Sequence, residues 1–149
     1  MRKISAIIFL LFAVPAWAGD KPQVCAGETC VDVEIVSSAA DMKRGLQGRG
    51  SLEEGQGMLF VFPDDYLHQF WMKDMKFSID IIWLSHDRRV VFVSADVPAC
   101  QADPCPLYRP TQPARYVLEV PVGFASQHKI QPGTDLSFKD VPSQFIAAE

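Results

Sequence analysis

The sequence predicts a mainly β fold of the α+β kind. About seven or eight short strands form a compact, barrel-like antiparallel sheet, accompanied by one or two short helices. Three observations lead there. Short apolar runs recur with turn signals between them, as in GMLFVF-PDD and IDIIWL-SHDRR. Helical periodicity is confined to one brief stretch, ADMKRGL, which glycines cut short. No internal repeat, heptad pattern or low-complexity run competes with this reading.

The amino terminus stands apart from the domain. Residues 1–18 carry Arg2 and Lys3, an apolar centre over residues 4–14 and Ala16-Trp17-Ala18 as a small-x-small cleavage site, the three parts of a secretory signal peptide. The centre is shorter than the ~20 residues that cross a bilayer. Cleavage would leave one domain, residues 19–149, periplasmic or secreted and without a stable membrane anchor. Such a chain can bury roughly two-thirds of its unfolded surface. Removing Arg2 and Lys3 from 14 basic residues leaves 12 against 18 acidic ones, a net charge of −6. An acidic surface without a Lys/Arg stripe argues against nucleic acid and anionic membranes as partners.

The elements follow in order. Residues 24–36 read as a hairpin and a strand in which Val31, Val33 and Ile35 alternate with Asp32 and Glu34. Ser38 caps a short helix, with Asp41 three residues on, and Gly45, Gly48 and Gly50 end it. After a polar loop, residues 58–62 form a buried strand stopped by Pro63-Asp64-Asp65. Residues 66–73 and 77–84 are further strands, His86 to Arg89 a hairpin tip and residues 90–95 the returning strand. A proline-rich loop over residues 98–113 leads to a strand at 115–120. A helical turn at 123–129, a Pro132-Gly133 turn and a closing strand at 136–138 complete the chain.

Four cysteines in an exported chain read first as disulfides. They form two equally spaced pairs, Cys25-AGET-Cys30 and Cys100-QADP-Cys105. Three connectivities are open, and two local bridges are favoured because Cys25 and Cys30 flank a hairpin turn. The spacing sits at the edge of what structural zinc uses, and neither pair has the C-x-x-C form of a redox centre.

The motifs GLQGR (45–49), GMLFVF (57–62), FWMKDM (70–75), IDIIWL (79–84), PARYVLEV (113–120) and QPGTDLSF (131–138), in this order, resemble the domain-of-unknown-function 192 (DUF192) family over about residues 31–138. The resemblance implies an exported bacterial protein with a compact β-rich barrel-like fold and no established activity. The family's usual forms are GLM and FWMKNT. This chain has Gln47 in place of the methionine, and Asp74 and Met75 in place of Asn-Thr.

Charges set among core-grade sequence mark the candidate site, because burying them is costly unless they are paired or used. In an extended strand Trp71 and Lys73 share a face, and with Arg49, Asp80 and Glu119 they form the candidate ligand-binding set. The expected ligand is a small molecule or a protein. The structural alternative pairs Lys73 with Asp80 or Glu119 across strands. An enzymatic reading uses Lys73 with Asp80 or Glu119 as acid–base groups in one pocket. Arg49 is either an anion contact or a cation at a helix end. His68 and Met72 are candidate Cu(I) ligands, although methionines among aromatic residues are usually core filler. No P-loop, dinucleotide-binding glycine pattern, nucleophile elbow or HExxH sequence is present, and no cofactor is expected.

Overall fold

The computed structural model describes residues 20–146, and within them the apolar runs become nine strands and two short helices. The proposed export signal, residues 1–18, lies outside the described residues. Strands β1 (Gln23–Ala26) and β2 (Thr29–Val36) form a hairpin that turns at Gly27, whose φ of 61° suits glycine. Cys25 and Cys30 face each other in its register and are bonded; Cys100 is bonded to Cys105. The connectivity is therefore the two local bridges.

Helix α1 (Ala39–Arg44) follows. Ser38 caps it, its Oγ accepting the Asp41 N–H at 3.1 Å and donating to the Asp41 carboxylate at 2.7 Å. The chain then crosses back, so that β3 (Gln56–Tyr66) lies parallel to β2; every other pairing in the sheet is antiparallel. Strands β5 (Ile79–Leu84), β6 (Val90–Val97), β8 (Ala114–Pro121) and β9 (Ser137–Lys139) complete a seven-stranded sheet in the order β6-β5-β8-β3-β2-β1-β9. A second sheet has two short strands, β4 (Phe70–Trp71) and β7 (Leu107–Tyr108).

All six residues of β5 are buried, because both faces of the central sheet are covered. Ile82, Leu84, Tyr116, Leu118 and Val120 pack beneath helix α2 (Phe124–Gln127). Ile79, Ile81, Trp83, Met58, Phe60 and Val117 form a second core with Leu46 and Met72.

The sheet is mainly β as expected, but it is open rather than a closed barrel. Its edges nonetheless meet. The Val90 N–H donates to Thr134 O at 2.9 Å, Gly133 N–H donates to Val90 O at 2.8 Å and Leu136 N–H donates to Arg88 O at 3.1 Å. An Arg89–Asp135 ion pair of 3.1 Å adds to this stitch.

Two boundaries differ from expectation. Pro63-Asp64-Asp65 does not end β3 but forms an irregularity within it, between Val61 and Tyr66, where proline offers no donor to the ladder. The strand expected at 66–73 shrinks to Phe70–Trp71, which pairs with two residues of the proline-rich loop. Phe70 and Met72 still turn inward, and Trp71 outward.

Candidate functional site

Glu119 lies on the central strand β8, flanked in register by Met58 of β3 and Ile81 of β5. Cross-strand partners share a face, so its side chain enters the second core. The segment after α1 roofs this region. Gly45 ends the helix at a φ of 47°, and a Cβ there would lie 3.3 Å from the Phe60 ring. Gly48 N–H donates to Asp74 O at 3.0 Å, tying the roof to the turn after β4. Asp74 holds a φ of 56°, a conformation that Asn and Asp tolerate better than most residues.

Between roof and sheet lies a cleft of about 260 Å³. Phe60, Phe62, Phe70 and Trp71 supply its aromatic walls, Met42 and Met75 line it further, and Glu119 is its buried ionisable group. Phe60 and Phe70 meet edge to face at 4.8 Å, as do Phe62 and Phe70 at 6.2 Å, which fixes the walls. Gln47 and Gln69 add amides. Trp71 is 42% exposed, and its register partner Leu107 on β7 is 59% exposed.

Glu119 is only 5% exposed, and its Oε2 has no hydrogen-bond partner. Burial disfavours the charged form and pushes its pKa up to about 8; the Arg49 guanidinium pulls the other way without offsetting this. The carboxyl is thus predominantly protonated at neutral pH. Arg49 itself donates to Glu34 Oε2 at 2.6 Å. Glu34, Met58 and Glu119 follow one another across three strands, so Met58 separates the paired acid from the unpaired one.

Of the five expected site residues, the cleft brings together Trp71 and Glu119. Lys73 pairs with neither Asp80 nor Glu119. It binds Asp103 at 2.8 Å, clasping the disulfide loop, and this hydrogen bond and charge raise its pKa. Asp80 faces the opposite side of the sheet, where its two oxygens accept the Asp96 and Ala125 N–H groups, each at 2.9 Å. Asp80 and Glu119 therefore form no acid–base pair, and the pocket that the Lys73 reading requires is not assembled. Arg49 borders a separate hollow with Glu34 rather than ending α1.

His68 and Met72 are likewise engaged apart. The imidazole stacks on Phe62 at 3.6 Å with Nε2 3.1 Å from Asp64 O, while Met72 is core. Another hollow, of about 570 Å³ near Phe124, has exposed Glu54 and Gln127, half-buried His128 and Thr29 as its side-chain hydrogen-bonding groups. Sequence reasoning named Trp71 but missed the walls formed by Phe60, Phe62 and Phe70. The signal was the alternation of Met58, Phe60 and Phe62, which puts three large side chains on one face of β3.

Two solved structures share this fold. A protein of unknown function from Novosphingobium aromaticivorans DSM 12444 superposes with a TM-score of 0.70 and 26% identity, over 84% of this chain and 91% of that one. A Sinorhizobium meliloti 1021 protein, described as a proposed transcription regulator, superposes with a TM-score of 0.70 and 22% identity, over 80% and 93%. No curated protein matches the chain. The DUF192 profile, described as "Uncharacterized ACR", matches residues 23–138, and the chain belongs to that family.

Proposed function

We propose that this protein is an exported binding module whose site is the aromatic cleft over Glu119. The observation that carries this reading is a buried carboxyl with an unpartnered oxygen at a concave, ring-lined surface. Buried polar groups are normally hydrogen-bonded, so an orphan oxygen beside a cleft marks a place where a guest supplies the partner. The volume suits a small molecule or a single side chain. Two local disulfides support export, as does the signal-like amino terminus. Among the described residues no helix is long and apolar enough to cross a membrane.

The binding reading is favoured over an enzymatic one because no second titratable group shares the cleft interior with Glu119; Lys43 and Arg44 reach it from its exposed rim. The test is a fragment panel of aromatic amines, alcohols, amides and carboxylates, followed by NMR on the indole of Trp71 and the side-chain amide of Gln47. Saturable shifts at both are expected, and in Trp71→Ala the Gln47 shift should need more fragment to saturate. A panel that leaves both signals unmoved contradicts the proposal.

A further inference from the structure

The walls and the floor of the cleft together define the charge of the guest. The faces of aromatic rings carry negative potential, and here four rings line the cleft together with one acid. The two guanidinium groups near the cleft are engaged by acids, and Lys43 stands at its exposed rim. Arg44 is held by Asp41 at 2.7 Å, and Arg49 by Glu34 at 2.6 Å. Lys43 is exposed, and its carbonyl accepts the Gln47 amide at 3.0 Å. Facing Glu119 from β3 and β5 are the apolar side chains Met58 and Ile81.

We propose that the cleft takes a small organic cation with an apolar body: an amine, a quaternary ammonium or a guanidinium group, free or on a side chain. The apolar body lies among Phe60, Phe62, Phe70 and Trp71, and the cationic head meets the Glu119 carboxylate. This rests on the binding reading above and specifies its ligand class. Burial keeps Glu119 mainly protonated at neutral pH, so a permanent cation displaces that proton on binding: the carboxylic O–H breaks, the proton leaves to solvent and the carboxylate pairs with the guest. The mature chain's acidic balance of 12 basic against 18 acidic residues, after loss of Arg2 and Lys3 from the 14, favours the approach of cations.

Titration calorimetry with benzyltrimethylammonium, benzyl alcohol and 3-phenylpropionate tests this, with Trp71 and Gln47 NMR shifts to locate each probe. The cation should bind best. Its affinity should rise about tenfold per pH unit from about pH 6 towards about pH 8, then level off. At pH 6–7 about one proton should be released per cation bound, read from buffers of different ionisation heat. Glu119→Gln should abolish both the pH dependence and the proton release. Trp71→Ala, at an exposed position, should weaken the cation without removing the pH dependence. Tighter cleft binding of the alcohol or the carboxylate overturns the cation assignment but keeps the binding module. Cation affinity unchanged by Glu119→Gln or by pH also overturns it. Failure of all three probes to move Trp71 or Gln47 counts against both readings.

Discussion

Asp80 and Glu119 lie close together in the β5–β8 ladder, where Asp80 pairs with Val120 and Ile81 with Glu119, yet on opposite faces of the sheet. Asp80, wholly buried, has two backbone donors and serves as an outside cap for the first turn of α2, whose preceding Gly123 provides no side chain. Removing it orphans both N–H groups. Asp80→Ala should lose about 3 kcal/mol of stability in urea unfolding. A loss under about 1 kcal/mol would show that the cap is dispensable.

Glu119 has the opposite fate: its carboxyl is buried without such donors, so folding favours its protonated form. The sign follows. Between its ordinary pKa near 4.5 and the folded value of about 8, the folded chain binds a proton that the unfolded chain has lost. This group therefore lowers stability as pH rises through that window, by at most about 1.4 kcal/mol per pH unit. Glu119→Gln, compared with the parent by urea unfolding at several pH values, should be less pH-sensitive there and relatively more stable at the alkaline end. The family departures also gain meaning at this scale. Gln47 and Met75 both line the cleft, so this chain's changes from the usual pattern alter its wall, while Asp74 keeps a positive φ that the usual Asn also suits.

At the scale of elements, the close approach of β3 and β8 depends on Gly57. A Cβ there would lie 2.9 Å from the Glu119 carbonyl oxygen, a backbone atom that cannot move aside cheaply. Gly57→Ala should cost about 1–3 kcal/mol by thermal or urea unfolding, in contrast to Gly50→Ala, where nothing lies within 4 Å. Equal stability of the two variants would contradict this packing.

Most elements were legible because their signals are local. The Ser38 cap, the alternation of β2, the continuous apolar run of β5 and the Cys25–Cys30 hairpin all follow from neighbouring residues. The candidate site was only partly legible. Trp71 and Glu119 were named as chemically unusual, but their meeting depends on the β3–β8 register and on Gly48 hooking onto Asp74. The partner of Lys73 lies 30 residues away in a loop without periodicity, which strand reasoning cannot reach. Likewise, β4 and β7 are two residues each, too short for any alternation to reveal.

For the whole molecule, one open sheet is curled until the start of β6 hydrogen-bonds the chain leading into β9. This explains why a barrel-like pattern of short strands gives a sheet with two nominal edges. The stitch should suppress fraying. In hydrogen exchange, the Val90 and Gly133 amides should be protected to a degree approaching the central β5 and β8 amides, because each bonds across the seam. Exchange as fast as in exposed loops would show that the edges part freely. The same curled sheet separates two cores, one capped by α2 and structural, the other roofed by α1 and opening at the cleft.

The most direct measurement is a pH titration of the Glu119 carboxyl carbon by NMR in the isotopically labelled protein. An inflection at about 8, moving down when a cation occupies the cleft, is the predicted result. An inflection near 4.5, the ordinary position for this group, would mean that its carboxylate is already satisfied or solvated, and the account of the cleft would fail.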